Sequence, residues 1–307
     1  MGDDERAVLV IGATGFVGRR VVAALRADGR PVRCLVRTPD KAQDLVIGGA
    51  DVIQGDMLDP RAVERAVHGV RAVVVCVHTI SPQPTADQGH GFMDVEAQGL
   101  RNVVVACTTA GVTRVMYVTS IGVAERAPST WLRGRWQTEQ DLFASGLDVT
   151  VVRPGMIVGR GGDGFGIVAR GATTAFAIAT AGRRQKFRTI AVDDLARDLV
   201  DLIDVPGAAG QALEVGSDDV LTMTQMAAIA AASIHRRPGV IVFIPAALIR
   251  LFAPVVERAG RIPRGAISGF VGDGPRGDMV GDPGPVRALL GRSDRPFRDA
   301  IVGQVVR

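Results

Sequence analysis

Two kinds of apolar pattern alternate along the 307-residue chain. Short, almost continuously apolar runs are each followed by a longer stretch in which apolar residues return every third or fourth position. The first kind reads as strands buried on both faces, the second as helices with one buried stripe. "AVLVIGATGFVGRRVVAALRADG" predicts a strand, a glycine turn and a helix closed by Gly29. "VRCLVR" is a second strand, and "ADVIQGDMLD" a third that ends near Asp56. "PRAVERAVHG" predicts a short helix opening with Pro60, and "AVVVCV" a fourth strand before the polar loop "HTISPQPTADQGH". A long helix over roughly Asp94 to Ala110 leads to strand five, "RVMYVTS". A helix from about Arg135 to Ser145 then precedes strand six, "DVTVVRPG". This alternation predicts the α/β class, with a doubly wound parallel sheet covered by helices on both faces.

Beyond Gly159 the pattern loosens. "GRGGDGFGIVARGATTAFAIATAG" predicts a Gly- and Ala-rich helical flap. A strand, "TIAV", precedes the helix "DDLARDLVDLID", with Asp193 or Asp194 as its N-cap. Thr222 is placed to cap a further helix, and the amphipathic "PAALIRLFAPVVERAG" reads as a substrate lid or a packing face. The expected division is a nucleotide-binding Rossmann domain over 1–159, then a segment over 160–307 that returns to the sheet and forms a smaller, mostly helical substrate lobe.

"GATGFVG" lies between the first strand and the first helix, where a dinucleotide pyrophosphate meets a helix N-terminus. Gly12 permits the tight turn, Gly15 lets the backbone approach the pyrophosphate and Gly18 lets the helix pack closely, with Thr14, Phe16 and Val17 completing the turn. Strand two ends "LVRTPDK", which puts Arg37 where an acidic residue would hold the adenosine ribose of NAD, with Lys41 just after it. A guanidinium suits a 2′-phosphate, so NADPH is expected ahead of NADH. Asp56 and Met57 are placed to meet the adenine; Val77 and Thr119, at the ends of strands four and five, join the same site.

Composition removes other classes. The net charge is only +4, and nearly all of the basic residues are Arg spread along the chain. "RRQKFR" from Arg183 reads as a solvated loop, and without zinc spacing or a helix-turn-helix signal no nucleic-acid partner is expected. The start, "MGDDERAV", resembles no secretory or transit signal. The apolar stretch "VIVFIPAALIRLF" is broken by Pro245 and Arg250, so no spanning segment or membrane partner is expected and a cytoplasmic location follows. Cys34, Cys76 and Cys107 sit in apolar runs as reduced, buried thiols. His68, His90 and His235 lack ligand spacing, so no metal is expected.

The runs "VLVIGATGFVG", "QGDMLDP", "RVMYVTSIG", "SGLDVTVVRPG" and "AVDDLARDLV" resemble the short-chain dehydrogenase/reductase superfamily in its atypical extended branch, over roughly residues 7 to 215. The C-terminal part is similar to the branch that includes the Rossmann-fold accessory subunit of respiratory complex I and nitrogen-metabolite-repressor-like proteins. The resemblance implies that Pro154, Gly155 and Met156 lie beside the nicotinamide. It also implies that Ser120 takes the place of the family's catalytic serine, and that Trp131 and Arg135 stand where the family has Tyr and Lys. The one Tyr, Tyr117, lies on strand five with Ile121 four positions on, so the chain contains no Tyr-x-x-x-Lys.

An indole N–H donates a hydrogen bond but is not a useful acid, and Arg stays protonated. A proton for a reduced carbonyl must then come from Ser120 or Thr119 as oxyanion donors, from His78 after strand four, from water or from a hydroxyl on the substrate. The expected function is an NADPH-dependent ketoreductase acting on a bulky hydrophobic ketone, of the aromatic polyketide kind. The alternative is a regulatory or structural protein that binds NADP(H) without turnover.

Overall fold

The computed structural model describes residues 5–77, 92–260, 262, 264–272 and 277–305. Its central sheet has seven parallel strands. They are β1 (Val8–Ile11), β2 (Val32–Val36), β3 (Asp51–Gln54), β4 (Ala72–Val75), β5 (Arg114–Val118), β6 (Asp148–Pro154) and β10 (Gln211–Val215). The spatial order is β3-β2-β1-β4-β5-β6-β10, so the chain reverses direction between β1 and β4. Loops leaving the two strands part there, and the crevice they open is where ligands bind in such sheets.

Alternation along β1 shows why the strand is apolar throughout. Val8 and Val10 point into a core shared with Val21 and Leu25 of α1 (Phe16–Ala27) and Leu195 and Leu199 of α7 (Val192–Leu202). Leu9 and Ile11 point the other way, into a core with Val63 and Val67 of α3 (Pro60–Val67) and Leu100 and Val103 of α4 (Phe92–Ala110). Both faces are covered, as a parallel sheet requires. A short helix, α2 (Gln43–Ile47), lies between β2 and β3, and α5 (Thr130–Phe143) between β5 and β6.

A third core lies in the C-terminal part. There β7 (Met156–Val158) pairs parallel with β9 (Lys186–Ala191), which pairs antiparallel with β11 (Val220–Thr222). A separate parallel pair joins β8 (Phe176–Ala179) to β12 (Val240–Phe243). The helices here are α6 (Asp163–Thr173), α8 (Met223–Ser233), α9 (Ala246–Ala259), α10 (Ala266–Val271), α11 (Gly284–Leu290) and α12 (Phe297–Ala300). Among the described residues no helix is long and apolar enough to cross a membrane.

Thr222 caps α8 in a reciprocal box with Gln225. Four local expectations need correction. First, α5 begins at Thr130 rather than near Arg135, because Ser129 Oγ accepts the Leu132 N–H and starts the helix five residues earlier. Second, α7 is preceded by Ala191, and neither Asp193 nor Asp194 caps it. Their carboxylates are drawn to Arg20 and to the Arg295 backbone and side chain instead. Third, "RRQKFR" is a loop only as far as Gln185, which is buried, and Lys186 opens β9. Fourth, the apolar stripe of α9 neither packs inward nor lines the cleft; it faces solvent.

The C-terminal segment is tied to α7 through a buried carboxyl. Asp198 Oδ1 accepts from Arg292 Nη2 at 2.5 Å. Burial and then the nearby Asp294 push the Asp198 carboxyl up to about 8, against the opposing pull of Arg292. An unfolded Asp titrates near ~3.9, so between about pH 4 and pH 8 the fold holds more protons than the unfolded chain. Stability from this group is therefore full below that window and falls as pH rises through it. Asp198→Asn is expected to flatten the fall, raising Tm at pH 9 by about 2 °C or more and changing it little at pH 4. Thermal unfolding across pH 4–9 tests this; a variant with the wild-type slope would count against it.

Candidate functional site

A cleft of roughly 1080 Å³ opens at the C-terminal ends of the central strands, above the β1/β4 reversal. At its floor the chain leaves β1 and turns at Gly12, whose φ of +86° is a left-handed conformation. A Cβ at Gly12 would also lie 2.8 Å from the Cys76 carbonyl oxygen. Gly18 acts differently: a Cβ there would lie 2.2 Å from the Gly12 carbonyl oxygen, so its hydrogen lets α1 press against the turn. The first turn of α1 starts at Gly15 with no side-chain cap. Its amide groups and the positive end of the helix dipole thus face the cleft wall formed by Gly12, Thr14, Gly15, Phe16 and Val17. This cradle, which a side chain would fill, fits the pyrophosphate of a dinucleotide.

The end of the cleft expected to take the adenosine is bounded by Arg37, Thr38, Lys41, Asp56 and Met57. A carboxylate stands near Arg37: Asp56 Oδ2 lies 3.9 Å from its Nε. Parallel pairing of β2 with β3 brings the two strand ends together. Asp56 is held by its other oxygen, which accepts from the Leu58 N–H at 2.9 Å. Arg37 remains about half exposed at the cleft and keeps its charge available. Two positioning residues escaped the sequence reading. Arg19 donates from Nε to the Thr14 carbonyl at 3.2 Å and from Nη2 to the Lys41 carbonyl at 2.6 Å, joining the glycine turn to the Arg37–Lys41 wall. Asn102 donates to the Met57 carbonyl at 2.9 Å and fixes that turn from α4. The adjacent pair Arg19-Arg20 directly after the glycine motif was a signal for the first; nothing local signalled the second.

At the end of the cleft where the nicotinamide is expected, the structure brings together Val77, Thr119, Ser120, Pro154, Gly155 and Met156. Of the residues expected at the site, Gly18 stands behind the wall. His78 lies outside the described residues. The Ser120 hydroxyl is half-buried and donates to the Ile121 carbonyl at 3.1 Å. Thr119 is corrected as an oxyanion donor: its hydroxyl donates to Glu139 Oε1 at 2.7 Å and its amide to the Val152 carbonyl at 2.9 Å. Glu139 also pairs with Arg153, which gives that arginine a structural role at the end of β6.

Behind this end of the cleft, Arg135 is almost fully buried. Its guanidinium pairs with Glu96 and donates to the Val118 carbonyl at 3.3 Å and the Val77 carbonyl at 3.2 Å. Tyr117 donates its hydroxyl to Glu96, and the Arg135 guanidinium lies over the Trp131 ring at 4.7 Å. Burial opposes the Arg135 charge, but Glu96, Tyr117 and Glu139 together outweigh it and hold the group more firmly protonated. Burial, then the Glu96 charge, pushes the Tyr117 phenol well above its ordinary value. Neither Arg135 nor Tyr117 is poised to exchange a proton near neutral pH. Cys76 also borders the cleft, with burial pushing its thiol up to about 12.

The cleft continues from Ser120 and Gly155 into the C-terminal part, where Trp131, Ile167, Phe187, Met223, Phe270 and Met279 line it. Trp131 meets Phe270 edge-on, with ring centroids 5.2 Å apart.

A parallel sheet with a glycine turn at its reversal point and a long cleft above it is the architecture of a dinucleotide-binding protein. The chain matches the NAD(P)H-binding family over residues 12–206 and belongs to it. It is 31% identical over 153 residues to an NAD(P)H azoreductase of Xenophilus azovorans, covering 49% of this chain and 48% of the relative. It is 28% identical over 267 residues to a ceramide reductase of Caulobacter vibrioides (strain NA1000 / CB15N), covering 85% and 79%. A photosystem II assembly factor of Cyanophora paradoxa matches at 30% over 146 residues, 48% of this chain and 44% of the relative. The chain thus spans about half the length of the azoreductase and of the assembly factor. Among solved structures, an NADPH-dependent quinone oxidoreductase from Escherichia coli complexed with NADPH superposes with a TM-score of 0.70 at 22% identity, covering 96% of this chain and 99% of that one. The homologues are of the atypical short-chain dehydrogenase/reductase kind, and the fold is Rossmann-like.

Proposed function

We propose that the protein is an NADPH-dependent reductase of a bulky, apolar carbonyl compound. The observation that carries this reading is one continuous cleft that joins the glycine cradle and the Arg37–Lys41 wall to an aromatic and Met-lined lobe. Its roughly 1080 Å³ lies just above the ~300–1,000 Å³ common for ligand sites, as a site that takes a dinucleotide with a second ligand beside it requires. NADPH, when bound, supplies a hydride to the substrate's carbonyl carbon.

Gly12, Gly15 and the α1 N-terminus hold the pyrophosphate, while Arg37 and Lys41 meet the 2′-phosphate. Pro154, Gly155 and Met156 orient the reacting ring. As the carbonyl's π electrons move onto its oxygen, the Ser120 hydroxyl turns from the Ile121 carbonyl to donate to that oxygen. Serine is too weak an acid to release its proton outright, and Arg135 is engaged with Glu96. A phenol beside the ketone therefore supplies the proton and is reprotonated by water, completing the alcohol. The Trp131–Phe270 wall favours a planar aromatic substrate of this kind.

A second reading, dinucleotide binding without turnover, is favoured by a specific observation. The residues at the Trp131 and Arg135 positions form a wall and a buried brace rather than an acid pair. NADPH consumption by the purified protein against quinones and polycyclic ketones, with and without a neighbouring phenol, separates the two. The expected result is turnover selective for the phenol-bearing ketones, reduced about 10- to 100-fold but not abolished by Ser120→Ala, on the scale of one oxyanion donor or less. Tight NADPH binding with no consumption across the panel would favour the second reading.

A further inference from the structure

Helix α9 is amphipathic in the wrong sense for a helix whose apolar stripe packs against its own fold. Leu248, Leu251, Phe252, Val255 and Val256 recur at the i, i+3, i+4, i+7 and i+8 spacing of a single helix face, and all are exposed. The opposite side turns inward with only Ala253 and Glu257 buried, and the two Glu257 oxygens accept the Gly265 and Ile267 N–H groups of the α10 turn at 2.8 Å.

The chain reaches α9 directly from β12, and the β8–β12 pair repeats the arrangement. Its register sets Phe176 opposite Val240 and Ile178 opposite Val242, and these four residues are exposed on one face while Ala177 and Ala179 point inward. Nine of the fourteen exposed large hydrophobic residues among those described lie on these three elements, so the apolar exposure is concentrated rather than scattered.

Charge distinguishes what this surface would meet. Residues 163–190 and 231–272 contain eleven Arg or Lys and two acids, Asp163 and Glu257. That excess of nine positive charges stands against +4 for the whole chain, so the remainder is net acidic. Arg183, Arg184, Arg236, Arg237, Arg258 and Arg264 are exposed. Two copies meeting through this lobe would oppose like charges, whereas an anionic lipid surface complements both the charge and the apolar face.

We propose that α9 and the β8–β12 face dock on the surface of an anionic bilayer, with the apolar side chains entering the headgroup boundary and the arginines meeting lipid phosphates. Docking of this kind needs no spanning helix, and it revises the expectation of no membrane partner, which rested on the lack of one. The patch adjoins the cleft: β8 runs into Thr180 and Ala181, and α10, packed on α9, supplies the partly exposed Phe270, all three of which line it. A lipophilic ligand would thus have a route from bilayer to cleft. The docking itself stands apart from any reaction.

Flotation of the purified full chain with vesicles of equal parts phosphatidylglycerol and phosphatidylcholine, and with phosphatidylcholine alone, tests the proposal. The expected result is co-flotation with the anionic vesicles at least tenfold above the neutral ones, weakened by high salt. The double variants Leu251→Glu/Phe252→Glu and Arg236→Glu/Arg237→Glu should each lose it while keeping the wild-type Tm, since the altered side chains are exposed. No flotation on either vesicle, or flotation that both variants retain, would overturn it. So would sedimentation showing a dimer that Leu251→Glu/Phe252→Glu dissociates in the absence of vesicle binding, which would make the face an interface between copies.

Discussion

Arg135→Met is expected to lower the unfolding free energy by about 3–5 kcal/mol, the scale for leaving one half of a buried ion pair uncompensated. Glu96 is completely buried and would lose the guanidinium while keeping the Tyr117 hydroxyl. The Val77 and Val118 carbonyls would lose the guanidinium that ties the ends of β4 and β5 together behind the cleft. Adding Glu96→Gln removes the stranded charge, so the double variant should recover a large part of the loss. Urea unfolding of the two single variants and the double one measures both effects. An Arg135→Met protein as stable as the wild type would contradict the brace, and so would a double variant in which the two losses simply add.

Arg37→Ala is expected to weaken NADPH binding about 10- to 100-fold, from the ~1.5–3 kcal/mol of a hydrogen bond to a charged group at ~1.4 kcal/mol per tenfold. NADH carries no 2′-phosphate, so its Kd should stay within about twofold, and the preference between the cofactors should collapse. Asp56, 3.9 Å from Arg37, tempers the effect by sharing its charge in the free protein. Titration of wild type and variant with both cofactors checks this. Equal losses for the two, or no loss for either, would remove the assignment of Arg37 to the 2′-phosphate.

The parts of the site readable in the sequence are those whose reasons are local. The glycine turn declares itself because Gly12 and Gly18 answer to constraints within one strand–turn–helix unit. The central strands β1 and β4 declare themselves because a sheet covered on both faces leaves no polar position on them. The brace was illegible because Glu96, Tyr117 and Arg135 come from three elements, and only the packing of α4, β5 and α5 makes them neighbours. Asp56 beside Arg37 is intermediate: the neighbouring strands were readable, but their register was needed to set one strand end against the other. The stripe on α9 shows the limit of periodicity, which finds an apolar face without saying whether it turns inward.

The most direct test of the reductase account is a reaction with NADPH deuterated at the transferring C4 position and a polycyclic ketone that bears a neighbouring phenol, analysed by mass spectrometry of the product. The account predicts an alcohol carrying deuterium on the former carbonyl carbon, formed in step with NADPH consumption. Saturating NADPH binding with every ketone of the panel recovered unreduced and free of deuterium would contradict it and leave a protein that binds the dinucleotide without using it.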